Sequence, residues 1–177
     1  MAISKKICLV GDFSVGKTSL IRRFVDDQFS DEYLSTVGVK LSRRLVDVDA
    51  TADAAARQVE LLIWDIEGQT QFKAIAPSYL QGAKGAIIVA DVKRDDTLVH
   101  LQNHVDLFFK INQKGTVIIA LNKSDLVTPA LLDTLLDRYA LEHQNPRVIA
   151  TYATSAKTGQ AVNAIFKELA AAILADP

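Results

Sequence analysis

Cysteine is almost missing: Cys8 is the only one in 177 residues. No intramolecular disulfide can form, which fits a reducing compartment without requiring one and leaves stability to a packed core. Ile7, Leu9 and Val10 flank Cys8, which makes packing rather than catalysis its expected role. An excess of charge is missing too. Twenty Lys and Arg stand against 21 Asp and Glu, for a net charge of −1, and this excludes a general electrostatic attraction to nucleic acid or an anionic membrane. No apolar run approaches the ~20 residues of a membrane-spanning helix. Leu169–Ala175 covers about two turns and reads as a buried helix face. The apolar run after Lys5 and Lys6 is too short for a signal peptide. Residue 2 is Ala, and Leu174-Ala175-Asp176-Pro177 offers no prenylatable cysteine, so no lipid anchor is expected in this chain. No repeat, low-complexity tract or linker marks a second domain. The expectation is one domain over residues 1–177, monomeric and cytoplasmic.

What is present is an ordinary globular composition, 49% apolar and 23% charged, with one segment of sharp chemical meaning. Gly11-Asp12-Phe13-Ser14-Val15-Gly16-Lys17-Thr18 reads G-x-x-x-x-G-K-[ST], a phosphate-binding loop. An apolar strand, Ile3–Val10, precedes it. Leu20, Ile21, Phe24 and Val25 place one apolar helical face after it. Between strand and helix, backbone N–H groups and the positive helix end can hold anionic phosphates. Lys17 would reach the β- and γ-phosphates, and the Thr18 hydroxyl would ligate Mg²⁺.

Further strands are expected at Gly38–Val48, Val59–Trp64, Ala86–Ala90, Val117–Leu121 and Val148–Ala153. The Ala-rich connection Asp49–Arg57 holds no long helix, so the strands either side of it should pair antiparallel. Helices are expected over Gln69–Gln81, Thr97–Asn112, Ala130–Glu142 and Gln160–Ala175, with Pro129 in the first turn of its helix. Strands alternating with helices predict an α/β fold, a mostly parallel sheet with helices on both faces, whose ligands bind beyond the carboxyl ends of the strands.

Three more motifs fall at such ends. Asp65 closes a strand and can hold Mg²⁺ through water. The Gly68 N–H can meet a γ-phosphate, and the Gln69 amide can orient a water for in-line attack. Asn122-Lys123-Ser124-Asp125 follows the fifth strand, and Asp125 can accept from the N1–H and 2-amino group of guanine, a donor pair that adenine lacks. Ser155-Ala156-Lys157 follows the sixth, where a backbone N–H can bind guanine O6.

Taken together, Gly11–Thr18, Thr36, Asp65–Gln69, Asn122–Asp125 and Ser155–Lys157 resemble the five nucleotide-contacting segments of a Ras-superfamily small GTPase, in the Rab style, over nearly the whole chain. The resemblance implies a P-loop NTPase fold of six strands with the second antiparallel. It implies a switch that binds GTP or GDP with Mg²⁺ and hydrolyses GTP. Asp12, Ser14, Val15, Gly16, Lys17, Thr18, Ser19, Phe29, Tyr33, Thr36, Gly68, Asn122, Lys123, Asp125, Ser155, Ala156 and Lys157 would contact the nucleotide. Thr18, Thr36 and Asp65 would serve the metal, and Gln69, Lys17 and Gly68 catalysis. The γ-phosphate would hold two switch regions, Tyr33–Val39 and Asp65–Tyr79, in one arrangement that effector or regulator proteins read. Leu41, Trp64 and Tyr79 fall where Rab-like proteins carry an apolar patch for partners.

Three departures lie beside the γ-phosphate position. Phe13 stands where the family has a small residue, and its ring would crowd Gln69 and any arginine finger. Ile66 replaces a Thr. Glu67 replaces an Ala; its carboxylate repels phosphate, turns away, or approaches Mg²⁺. These departures predict slow turnover, and the alternative is a nucleotide-bound interaction module with negligible GTPase activity. The Asn122–Asp125 segment disfavours an ATP-dependent kinase. His100 and His104 are spaced i, i+4, but Leu101 and the lack of a third ligand argue for a solvated helix face over a metal site. Asp26, Asp27, Asp31 and Glu32 read as a solvated loop. Lys93-Arg94-Asp95-Asp96 reads as a charged connection without functional content.

Overall fold

The computed structural model describes residues 3–32, 35–49, 55–70 and 73–175. Its strands are β1 (Ile3–Gly11), β2 (Val39–Val48), β3 (Arg57–Ile66), β4 (Gly85–Asp91), β5 (Thr116–Asn122) and β6 (Val148–Ala153). They form one sheet in the order β2-β3-β1-β4-β5-β6. Only the β2–β3 pair is antiparallel. Part of the hairpin connection, residues 50–54, lies outside the described residues.

Strand periodicity decides how the sheet is covered, because successive side chains point to opposite faces. On one face Ile7, Leu9, Ile87, Val89, Ile118 and Ala120 pack against α1 (Lys17–Asp26) and α6 (Val162–Ala175). On the other, Cys8, Val10, Ile88, Val117, Ile119 and Leu121 meet α2 (Pro77–Leu80), α3 (Asp95–Val99), α4 (Leu101–Ile111) and α5 (Pro129–Arg138). Central strands buried on both faces explain why their sequences are continuous apolar runs rather than alternations. Cys8 is fully buried, and burial pushes its thiol up to about 12. That matches a packing role.

The helix boundaries correct the sequence reading in four places. Instead of a helix over Gln69–Gln81, only Pro77–Leu80 is helical among the described residues of that stretch, and residues 71 and 72 lie outside them. Gln69 is drawn into a bridge with Asp12, and Thr70 pairs with Lys73 across a local turn, so their backbone groups are used elsewhere. The expected Thr97–Asn112 helix is two, meeting at His100. The helix expected over Ala130–Glu142 ends at Arg138, and a 3-10 turn covers Leu141–His143. The last helix begins at Val162, because Ala161 takes a φ of 54°. Pro129 does occupy the first turn of its helix, capped by the Thr128 hydroxyl, which accepts from Leu131 N–H at 3.3 Å.

All five parallel strands point the same way, so Gly11, Ile66, Asp91, Asn122 and Ala153 end along one edge of the sheet. The helices α1 and α6 on one face are joined to each other by an aromatic pair. Phe24 of α1 stacks on Phe166 of α6 with ring centroids 4.0 Å apart and planes 5° from parallel. The Arg44 guanidinium from β2 caps the same stack, 4.8 Å from the Phe24 ring. Phe166→Ala is expected to cost about 3–5 kcal/mol of stability through the cavity it leaves, read as a lowered midpoint in urea unfolding.

Candidate nucleotide-binding site

The loop after β1 has carbonyl oxygens that are tied back by side chains from later in the chain. The Asn122 side chain donates to Val15 O at 3.0 Å, and Lys123 Nζ donates to Ser14 O at 3.0 Å. Gly16 is required here: its φ is 101°, and a Cβ would stand 2.3 Å from Asn122 Nδ2. Lys123 is itself anchored to Asp91 at 2.7 Å. Lys17 Nζ donates to Gly11 O at 3.1 Å and Asp12 O at 2.8 Å. Burial pushes its ammonium down to about 8, although the charges of Asp65 and Asp12 oppose that shift. A buried cation held only by carbonyls at the lining of a cavity suits an anion.

Three oxygens meet below Lys17. Thr18 Oγ1 donates to Asp65 Oδ2 at 2.6 Å and lies 2.8 Å from Thr36 Oγ1, which donates to the same carboxylate oxygen at 3.4 Å. Asp65 is 1% exposed, and its other oxygen, Oδ1, is buried without a hydrogen-bond partner. Burial raises the Asp65 carboxyl above its ordinary range, partly offset by the Thr18 hydroxyl and the Lys17 charge. Two hydroxyls and a carboxylate with an orphaned oxygen are hard donors, the type that suits Mg²⁺. The residues fit the ion.

At the far end of the cavity Ser155 Oγ donates to Asp125 Oδ1 at 2.6 Å, which fixes the carboxylate. Thr154 Oγ1 donates to Asn122 Oδ1 at 3.2 Å and so joins the two motifs. Arg23 of α1, which the motifs do not reveal, donates from Nε to Ala156 O at 2.8 Å and from Nη2 to Lys157 O at 2.7 Å.

One cavity of about 270 Å³ receives Ser14, Gly16, Lys17, Thr18 and Ser19 from the loop, Phe29, Thr36 and Gly68 from beyond it, and Asn122, Lys123, Asp125, Ala156 and Lys157 from the last two motifs. Val15 and Ser155 are fully buried behind it, and Asp65 lies beneath Thr18. Tyr33 lies outside the described residues. Gln69 meets the loop through its backbone: Phe13 N–H donates to Gln69 O at 2.8 Å and Gln69 N–H to Gly11 O at 3.1 Å. Gly68 is pressed so close that a Cβ would stand 2.5 Å from Phe13 Cα. Phe13 is 39% exposed and lines the cavity.

Among the three orientations open to Glu67, it turns away from the metal position. Its Oε2 accepts from Gly38 N–H at 2.9 Å and from Lys73 Nζ at 2.7 Å, and its own N–H donates to Gly38 O at 2.8 Å. Those bonds hold its carboxyl below the usual range, the Lys73 bond first.

The reading of His100 and His104 as a solvated face is overturned. His104 is 1% exposed. Asp12 Oδ2 lies 2.6 Å from His100 Nδ1 and Oδ1 lies 2.7 Å from His104 Nε2, so the Asp12 carboxylate faces the helices, not the cavity. The signal was there: His104 shares a helical phase with Leu101 and Phe108, both buried. Arg94 is corrected likewise, since its Nη1 donates to Phe13 O at 2.7 Å.

The sheet order and the loop after β1 define a P-loop nucleoside-triphosphate-binding domain. The Ras family model matches residues 6–175. Ras-related protein Rab-13 of Mesocricetus auratus and of Bos taurus are each 34% identical over 171 residues, and that of Rattus norvegicus 33%, covering 96% of this chain and 79% of each relative. The chain belongs to the Ras family of small GTPases and is Rab-like. The resemblance read from the motifs is borne out, as is the six-stranded sheet with its one antiparallel pair. Among the described residues no helix is long and apolar enough to cross a membrane.

The Asp12 carboxyl supplies a pH test. Burial alone would raise it, but the bonds from His104 and His100 outweigh burial and hold it below the ordinary carboxylate range. A lowered folded-state value stabilises the fold fully above the unfolded value of about 3.9, and this contribution disappears as pH falls through the folded value. Wild type should therefore melt above Asp12→Asn at neutral pH, and the gap should close below about pH 4. Thermal melts from pH 7 to pH 3 check this; a gap that widens with acid contradicts it.

Proposed function

We propose that this protein is a guanine-nucleotide switch that binds GTP or GDP with Mg²⁺, hydrolyses GTP slowly, and presents the difference to protein partners. One observation carries the reading. The Gly11–Thr18 loop, with its buried Lys17, and the Asp125 carboxylate, steered by Ser155, line one cavity. The first suits a polyphosphate, and the second suits a base with two adjacent donors.

In this reading Asp125 selects guanine, because a competing base leaves a buried acceptor unpaired. Phe29 covers the ring, and the Ala156 and Lys157 backbone meets O6. Lys17 neutralises β- and γ-phosphate oxygens, and the Gly68 N–H meets the γ-phosphate. Gln69 orients a water whose oxygen attacks the γ-phosphorus in line; the bond from the γ-phosphorus to the β–γ bridging oxygen breaks, and GDP and inorganic phosphate, which takes up the water's atoms, are the products. Thr18, Thr36 and Asp65 would hold Mg²⁺, which neutralises charge on the β- and γ-oxygens when bound. The working compartment is the cytoplasm and the working form a monomer.

Two features support partner recognition at the switches. Leu41 is 60% exposed and sits directly opposite Trp64 in the β2–β3 register. Trp64 is half-covered, with Lys6 Nζ 3.5 Å above its ring, and Tyr79 continues the surface. A second reading, a nucleotide-bound interaction module with negligible hydrolysis, draws on Phe13, whose ring occupies the cavity wall beside Gly68.

Denaturing the purified protein should release guanine nucleotide. Single-turnover conversion of GTP should run below the ~4 × 10⁻⁴ s⁻¹ of an unassisted small GTPase; a rate at or above that value refutes slow turnover. Phe13→Gly should raise it. Asp125→Ala should weaken binding of a fluorescent GDP by at least about tenfold, the loss of one charge-assisted hydrogen bond. Undiminished affinity in Asp125→Ala would remove guanine selection from the reading.

A further inference from the structure

We propose that His100 and His104 are positioning residues for GTP hydrolysis, which fix the start of the phosphate loop through Asp12 and, through that loop, fix Gly68 and Gln69. The proposal rests on the hydrolytic reading above and adds residues that the nucleotide motifs do not contain.

The geometry forms a chain of short links. His100 N–H donates to Asp96 O at 3.2 Å and His104 N–H to His100 O at 3.1 Å, so the two imidazoles stand one helical turn apart on the same face. They engage the two oxygens of one carboxylate at 2.6 and 2.7 Å. A carboxylate held at both oxygens cannot swing about its side-chain torsions, so residue 12 is fixed in place. Asp12 is 5% exposed, and in that setting its hydrogen bonds are charge-assisted and strong. The next residue is held from the same connection, where Arg94 Nη1 donates to Phe13 O at 2.7 Å.

Residues 12 and 13 are also what Gly68 and Gln69 lean on. Phe13 N–H donates to Gln69 O, and Asp12 bridges Gln69 in a short parallel pairing. A Cβ on Gly68 would stand 2.6 Å from Phe13 N and 2.7 Å from Asp12 O, so no slack separates the two segments. A displacement of Asp12 therefore reaches Gly68 and Gln69 directly. The base end of the cavity is outside this chain of contacts, being held by Ser155 and Thr154. Loss of the imidazoles should lower turnover much more than nucleotide affinity. The pair also keeps the Asp12 charge off the phosphates, a contribution to ground-state binding that His100→Ala alone retains in part, since His104 still holds the other oxygen.

The test uses the full chain loaded with nucleotide. His100→Ala and His104→Ala remove the donors, whereas His100→Asn and His104→Gln put an amide N–H near Nδ1 and Nε2 respectively. In the alanine variants, single-turnover GTP hydrolysis should fall about ten- to a hundredfold, the scale of a misplacement near 1 Å, while fluorescent-GDP affinity stays within about threefold. The amide variants should recover most of the rate. His104 is buried and its alanine variant can fail to fold; His100 is at the half-exposed end, and His100→Ala keeps the test decisive. Amide exchange at Phe13 and Gln69 in the GDP-loaded proteins should rise in the alanine variants and not in the amide variants. If wild type hydrolyses no GTP, the hydrolytic reading fails by itself, and with it the catalytic part of this proposal; the exchange measurement then decides whether the brace holds the loop. Equal protection of Phe13 and Gln69 in all five proteins overturns the proposal. An affinity loss as large as the rate loss overturns it too, because the histidines would then be merely structural.

Discussion

An ammonium group taken out of water and left among carbonyls is the constraint from which the rest of this site follows. Lys17 is 6% exposed and donates to Gly11 O and Asp12 O, and its pKa is pushed down to about 8, mainly by burial. An isolated buried charge is expensive unless paired. Two carbonyls take two of its three donors but supply no counter-charge, and the Asp65 and Asp12 carboxylates act on it without a direct ion pair. In the proposed switch, the full partner for Lys17 is a phosphate that arrives from outside. That requirement explains why the sequence commits two glycines and the end of a central strand to this loop.

Holding the loop open around Lys17 demands that its outward-facing groups be tied elsewhere, and the ties come from every part of the parallel sheet. Asn122 and Lys123 from the end of β5 hold Val15 O and Ser14 O. Asp91 at the end of β4 anchors Lys123. His100, His104 and Arg94 hold residues 12 and 13. The result is a loop whose carbonyls are engaged from behind. The parallel topology is what brings these donors together, because it sets all five strand ends at one edge.

The contiguous motifs were legible because each carries its chemistry in a few adjacent residues. Gly11–Thr18, Asn122–Asp125 and Ser155–Lys157 needed no knowledge of packing, and the alternation of strands and helices predicted the sheet. What stayed hidden depends on partners far apart in the chain. Asp12 meets His100 and His104 across 88 and 92 positions, a link that no local pattern encodes. Glu67 had three plausible orientations, and its turn toward Gly38 and Lys73 is set by a backbone N–H and an ammonium that only the fold supplies. The helix expected over Gln69–Gln81 failed for the same reason. Its apolar spacing suits a helix, but bonds to the phosphate loop claim Gln69 first, a tertiary override of local propensity.

Phe13 gains meaning from these ties. A bulky side chain in a loop can often be accommodated by a shift of the backbone. Here the N–H of Phe13 is engaged by Gln69 O and its carbonyl by Arg94, while Gly68 presses on its Cα. The backbone is thus held on three sides, and the residue, 39% exposed, lines the cavity. An incoming arginine is typically worth about 10³–10⁵ in rate, or about 4–7 kcal/mol of transition-state stabilisation. To collect that energy the arginine must displace the ring. Moving the backbone instead breaks hydrogen bonds worth about 1 kcal/mol each, and more where a charge takes part. Whether a partner can drive that displacement depends on the shape it offers to the ring. In the proposed switch, Phe13 acts as a selective obstruction whose height is set by how firmly Asp12, Arg94 and Gln69 hold the residue that carries it.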